Sequence, residues 1–223
     1  MKRPILYAMA ERTGYRLLLS RLYRVEVRGA ERIPGEGAVI LAANHESMLD
    51  PWLLPLSTPR PVRYMAKAEL WRYPVVRWVM DKFGTFPVER GSGDRRSVGR
   101  AAQLLTDGEL LGIFPQGTCL PFPDRRWHRG AAKLALATGA TIVPACLVGT
   151  ERALRPGKFK IGFPRVLVLV GEPIEVEKAK PNLAAAKALT DRIEAAVEEL
   201  REPHGPPAHA WYPPREPALN TSV

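Results

Sequence analysis

Val39-Ile40-Leu41-Ala42-Ala43-Asn44-His45-Glu46-Ser47-Met48-Leu49-Asp50-Pro51 is a short apolar run that ends in Asn-His, with an aspartate five residues beyond the histidine. The apolar part is too short for a helix and rich enough in branched residues to predict a buried strand. His45 then stands just past the strand end, where side chains reach ligands. Asp50 precedes Pro51, and proline is favoured at the first helical position, so the pattern makes Asp50 a helix N-cap. Strand, histidine, tight loop and aspartate form a compact corner. In such a corner a carboxylate can hold one imidazole nitrogen, fix the tautomer and leave the other nitrogen to take a proton.

Outward from this corner, strand and helix patterns alternate. Residues 25–28, 62–66 and 110–114 predict strands. The strand over 141–148 contains Pro144, which implies a bulge or a strand end there. Residues 158–161 and 166–170 suggest a hairpin. Helices are predicted over 71–80, broken near Pro74; over 95–105, capped by Asp94; over 130–138, closed by Gly139; and over 183–200. The expected fold is therefore α/β, with a mixed, largely parallel sheet flanked by helices. Residues 25–202 form the domain. Before it, residues 1–24 place Lys2, Arg3, Arg12, Arg16, Arg21 and Arg24 among leucines against Glu11 alone, a basic amphipathic helix. Such a helix either lies in a membrane interface or packs its leucines on the domain. After the domain, residues 203–223 carry six prolines and predict a disordered tail.

A chain of 223 residues buries enough surface to fold without staples, and Cys119 and Cys146 have no metal or redox spacing. No stretch reads as a membrane span or a cleavable signal. The formal charge of +10, from 33 Lys and Arg against 23 Asp and Glu, attracts anions: nucleic acid, anionic lipid or phosphorylated metabolites. Ten basic residues fall between Arg60 and Arg100, interleaved with Trp71, Tyr73 and Trp78. That mixture suits a lipid headgroup region, although a solvated basic face has the same composition.

Four blocks occur in order: Asn-His45-x4-Asp50, Phe83-Gly84-Thr85-Phe86-Pro87-Val88-Glu89-Arg90, Phe114-Pro115-Gln116-Gly117-Thr118-Cys119 and Ile142-Val143-Pro144-Ala145. Together they resemble the glycerolipid acyltransferase family, typified by 1-acylglycerol-3-phosphate acyltransferases, over about residues 20 to 175. The resemblance implies that His45 is the general base and Asp50 its orienting partner. It also implies that Arg90, with Gly84 and Phe86 before it, and Lys67 serve the acceptor's phosphate. Arginine offers a planar fork of donors for that task and lysine a point charge. In the third block, relatives usually have Glu and Arg where this chain has Gln116 and Cys119. Gly117 and Thr118 remain as substrate-binding candidates beside Gln116, and Arg125, Arg126 or Arg129, with Lys133 assisting, are candidates to replace the missing cation. Backbone N–H groups around Gly117 are candidates for an oxyanion hole. No second histidine stands near His45 to make a metal site.

The resemblance implies transfer of an acyl group from acyl-CoA or acyl carrier protein, as co-substrate and without a cofactor, to a lysolipid hydroxyl. The first acceptor is 1-acylglycerol-3-phosphate, in phospholipid biosynthesis at the cytoplasmic face of an anionic membrane. The altered third block keeps other lysolipid, sugar-lipid or amino-acid-lipid acceptors open. A catalytically silent lipid-binding protein is the reading from another class, and the intact His45 opposes it. Nucleic acid is not an expected partner, since the basic residues follow no recognition motif.

Overall fold

The computed structural model describes residues 14–88, 95–119, 126–154 and 161–205. Seven strands form one sheet: β1 (Glu26–Arg28), β2 (Val39–Ala43), β3 (Val62–Lys67), β4 (Phe86–Val88), β5 (Leu110–Ile113), β6 (Thr141–Val148) and β7 (Leu167–Val170). Their spatial order is β1-β7-β6-β2-β5-β3-β4. From β6 to β4 the neighbours are parallel, whereas β7 runs antiparallel to β6 and carries β1 alongside it. The expected mixed, largely parallel sheet is therefore present. Helices α1 (Tyr15–Leu22), α2 (Asp50–Leu53), α3 (Pro74–Lys82), α4 (Arg95–Thr106), α5 (Gly130–Thr138) and α6 (Leu183–Arg201) surround it.

β2 is buried along its whole length because both faces of the sheet are covered. Ile40 and Ala42 face one core, built with Ala101 and Leu105 of α4, Leu134 of α5 and Ile193 and Val197 of α6. Val39, Leu41 and Ala43 face the other, with Tyr23, Ile33, Leu53, Leu54 and Leu56. Full burial of Ile40 and Leu41 stabilises the fold by roughly 1.5–3 kcal/mol each. β2 lies between β5 and β6, and the chain visits β3, β4 and β5 on one side before it reaches β6 on the other. This is a topological switch point, and in open α/β sheets the crevice at the carboxyl ends of such strands takes the ligand. His45 leaves β2 at that end.

β6 passes straight through Pro144, which stays in register opposite Ala42. The implied bulge is in the antiparallel pairing of β6, on the neighbouring chain segment, where the pairing moves from Ala145↔Val170 to Ile142↔Ile174 with one residue inserted. Pro144 lacks an N–H on that side, and its carbonyl still accepts from the Gly171 N–H at 2.8 Å. β7 has β6 on one edge and β1 on the other, and Ile161 bridges Leu154; residues 158–160 of the suggested hairpin lie outside the described residues. The proposed cap Asp94, residues 1–13 of the amphipathic helix and residues 206–223 of the tail lie outside the described residues.

Candidate active site

The strand ends in a side chain that imitates backbone. Asn44 Nδ2 donates to the Leu147 carbonyl at 2.9 Å, and its Oδ1 accepts from the Leu147 N–H at 2.7 Å, so the amide extends the β2–β6 ladder by one rung. The main chain is then released to turn. His45 Nδ1 meets Asp50 Oδ2 at 2.8 Å. The same oxygen accepts the N–H groups of Glu46 at 2.6 Å and Ser47 at 2.8 Å. Asp50 is fully buried, and its Oδ1 has no hydrogen-bond partner among the described residues. An ionised carboxylate is costly to bury without donors, so these three donors compensate it.

This geometry corrects the reading of Asp50 as an N-cap. The position before α2 is Leu49, no side chain caps the helix, and Asp50 is its first residue. Its carboxylate folds back over the loop towards the histidine rather than onto its own helix. Ser47 closes the corner from beneath, donating through Oγ to the Leu154 carbonyl at 2.9 Å.

His45 is held from two further directions. Continuing the Ala42↔Ile113 register brings the turn after β5 alongside the end of β2. There the Gln116 Oε1 accepts the His45 main-chain N–H at 2.7 Å. Phe114 stacks on the imidazole with centroids 4.3 Å apart and planes at 21°, and Tyr64 lies parallel to Phe114 at 5.8 Å. The Tyr64 ring reaches this place because β5 carries Gly112, where a Cβ would come within 2.4 Å of Tyr64 Cε1. The histidine side chain keeps 15% of its surface exposed. It is a fixed imidazole with limited access to solvent, suited to moving a proton.

The other candidates divide by position. Gln116 is buried and acts on the His45 backbone. Gly117 has φ +70°, and a Cβ there would press on His128 Cδ2 at 3.1 Å, so a side chain at 117 would be strained on both counts. Its N–H donates to the Phe114 carbonyl at 2.9 Å, which removes it from the oxyanion-hole candidates; the Glu46 and Ser47 N–H groups are likewise taken by Asp50. Thr118 follows, half-buried, and Arg129 is exposed at the start of α5. Lys67 ends β3 at the same sheet edge as His45, half-exposed, with its Nζ 3.3 Å from Glu69 Oε1.

Gly84 and Phe86 are not brought to His45. Gly84 precedes β4 at the amino edge of the sheet, where its missing Cβ makes room for the Arg63 guanidinium, itself paired with Glu109. Phe86 is buried in the core beneath α4 to α6, with the Arg100 guanidinium 5.1 Å above its ring. That core is on the face opposite the Tyr64–Phe114 stack. Arg90 lies outside the described residues. Sequence reasoning missed Asn44 and Phe114 as supports of His45. An Asn placed directly after a buried strand was the available signal for the first, and nothing local marks the second.

The family model described as "Acyltransferase" matches residues 24–148. A 1-acyl-sn-glycerol-3-phosphate acyltransferase of Bacillus subtilis is 29% identical over 191 residues, covering 83% of this chain and 92% of that protein. A chloroplastic enzyme of the same name from Arabidopsis thaliana is 30% identical over 166 residues, 70% of this chain and 45% of that protein. A lyso-ornithine lipid O-acyltransferase of Pseudomonas aeruginosa is 34% identical over 135 residues, 59% of this chain and 50% of that protein. The chain thus spans nearly all of the first relative and about half of the other two. Among solved structures, the 1-acyl-sn-glycerophosphate acyltransferase PlsC of Thermotoga maritima superposes with a TM-score of 0.67 at 22% identity, covering 87% of this chain and 83% of that one.

Proposed function

Since this chain belongs to the acyltransferase family and is an O-acyltransferase, we propose that it moves a fatty acyl group from a thioester donor to the hydroxyl of a lysolipid, with 1-acylglycerol-3-phosphate the first acceptor. The observation that carries this reading is the 2.8 Å contact between His45 Nδ1 and the buried Asp50 carboxylate. A carboxylate there keeps the proton on Nδ1, so the lone pair is on Nε2. Nε2 takes the acceptor's hydroxyl proton as the oxygen attacks the thioester carbonyl. The tetrahedral intermediate then collapses, breaks the C–S bond and releases a thiolate, which recovers the proton from the imidazolium. The products are the ester and the free thiol, with no acyl-enzyme and no cofactor.

Acyl-CoA and acyl carrier protein both suit a chain of charge +10, because each donor is anionic. Lys67, Arg129 and Arg90 are the cations assigned to an acceptor phosphate. The acceptor is presented by an anionic membrane at its cytoplasmic face. Exposed Leu17, Leu18 and Leu22 on α1 and exposed Val75 and Trp78 on α3 supply an apolar surface for that contact. No helix among the described residues is long and apolar enough to cross a membrane.

A second acceptor class has support of its own. Cys119 stands where relatives usually carry a cation, and one relative is named for acylating a lyso-ornithine lipid. The test is one panel. Purified protein is offered labelled acyl-CoA and acyl carrier protein thioester with lysophosphatidate, other lysophospholipids and a lyso-ornithine lipid. Acylation of one lysolipid, abolished by His45→Ala, is the expected result. Failure with every pair, or full activity in His45→Ala, overturns the reading.

A further inference from the structure

A buried charge pair joins the last turn of the C-terminal helix to the residue next to His45. Glu46 is 2% exposed, and Arg201, the last residue of α6, is 4% exposed. The Arg201 Nη1 stands 3.5 Å from Glu46 Oε1. Arg201 lies more than fifty residues beyond the segment matched by the family model, so nothing in the four motif blocks points to it.

We infer that Arg201 is a positioning residue for the reaction, holding Glu46 so that the 44–50 loop keeps its N–H groups on Asp50. Two bonds transmit the effect. The Glu46 main-chain N–H is one of the three donors to Asp50 Oδ2, and that oxygen orients the His45 ring. A shift of Glu46 therefore moves the group that fixes the imidazole. The pair also answers an energetic problem: a carboxylate with 2% exposure is strongly unfavourable unless a cation compensates it, and removing one partner of such a pair costs more than removing both.

The groups that act on Cys146, beneath the loop on β6, are Arg201, Glu198, Glu46 and Asp50. Arg201 is the one cation in that set, against three carboxylates. Burial is the main cause that pushes the Cys146 thiol up to about 12, so the pocket is poorly solvated and its charges act on one another with little screening. Arg201 thus links α6 to the catalytic corner through charge, while Ile193 and Val197 link it through apolar packing.

The test compares full-length wild type with Arg201→Lys, Arg201→Met and the double variant Glu46→Gln/Arg201→Met. Hydrogen exchange of the 44–50 peptide reads loop position directly and does not depend on which acceptor is used. Arg201→Met is expected to exchange at least about tenfold faster in 44–50, with β2 and β5 peptides unchanged. Arg201→Lys and the double variant should stay within about threefold of wild type. With an active acceptor in hand, which rests on the acyltransferase reading, the loss in Arg201→Met falls on kcat rather than KM and is recovered by Arg201→Lys. Unchanged exchange of 44–50 in Arg201→Met, or a double variant as fast as the single one, overturns the inference. If Arg201→Met fails to fold, the double variant and Arg201→Lys decide on the same readout. An inactive wild type with the expected exchange pattern would count against the acyltransferase reading alone.

Discussion

Asp50 Oδ2 receives three donors, one from a side chain and two from main chain, and each answers differently to substitution. Asp50→Asn keeps an oxygen for the two N–H groups but loses the charge that holds the proton on His45 Nδ1. Such a change costs on the order of 10³-fold or more in kcat where a histidine base needs its orienting carboxylate. The expected result is that loss, measured with the acceptor found active, at an unfolding midpoint close to wild type. Gln116 poses the complementary case. Its Oε1 accepts the His45 N–H, so the neutral amide retains the acceptor atom that the family's usual Glu would offer. Gln116→Glu should therefore hold kcat within about tenfold, whereas Gln116→Ala leaves the N–H unmet and should cost about 1–3 kcal/mol of stability, read by denaturant unfolding. Cys146 gives a prediction in pH. Its thiol is pushed up to about 12 by burial, so the protonated form persists through the neutral range. At pH 8 iodoacetamide should modify Cys119, which is half-buried, and leave Cys146 untouched until the protein unfolds. The His45–Asp50 pair was legible in the sequence because the two are five residues apart in a tight loop. The Gln116 contact spans 71 residues and depends on how β5 is laid beside β2, which no local pattern states.

Elements explain which further residues the corner depends on. Gly112 sits in the middle of β5, and the space left by its missing side chain is filled by Tyr64 and by Val62, which a Cβ would meet at 2.8 Å. Tyr64 supports Phe114 and Phe114 supports the imidazole. Gly112→Ala is therefore expected to destabilise by about 1–3 kcal/mol, as overpacked cores do. It should also lower kcat, because the displaced ring stack ends on His45; unchanged stability and kcat together would refute that chain of contacts. Buried strands such as β2 and β5, the helix closed by Gly139 and the amphipathic helix over 183–200 were legible because each carries its own signal, whereas the Asn182 cap was not singled out. Asn182 accepts from the Ala185 N–H at 2.8 Å, an ordinary N-cap. The pairing of β7 with β1, from residues 26–28, was not legible, because no local pattern joins strands so far apart in sequence. Pro144 signalled a bulge but not which segment carries it: the proline lacks one bond on one side, and the segment adjacent to β6 absorbs the extra residue.

At the scale of the molecule the two faces of the sheet differ in what they show to solvent. One is covered by α4, α5 and α6. On the other, Leu19 of α1 packs into the core while Leu17 and Leu18 remain 57% and 64% exposed, so the helix docks on the domain through one leucine and leaves two at the surface. It is not loosely attached. The Tyr15 hydroxyl donates to the Trp52 carbonyl at 2.7 Å, and the Arg16 guanidinium takes up the carbonyls of Pro55, Leu56 and Thr58 at 2.8 Å each. Trp52 in turn meets Phe83, just after α3, edge to face at 5.0 Å. The exposed leucines are therefore fixed relative to α2, whose first residue is Asp50. A membrane that receives Leu17 and Leu18 would then lie beside the element that carries Asp50. Burying two leucines is worth roughly 3–6 kcal/mol in all, so Leu17→Glu/Leu18→Glu should weaken binding to vesicles containing phosphatidylglycerol by about 100-fold or more. The basic surface adds an electrostatic part that raising the salt should reduce in wild type and variant alike. Because the substituted side chains touch neither His45 nor the core, kcat on a short-chain, micelle-free acceptor should be unchanged while activity on vesicle-borne lysolipid falls with binding. Equal loss on both acceptors would mean that α1 acts on the site through the fold, and undiminished vesicle binding would remove it as the membrane contact.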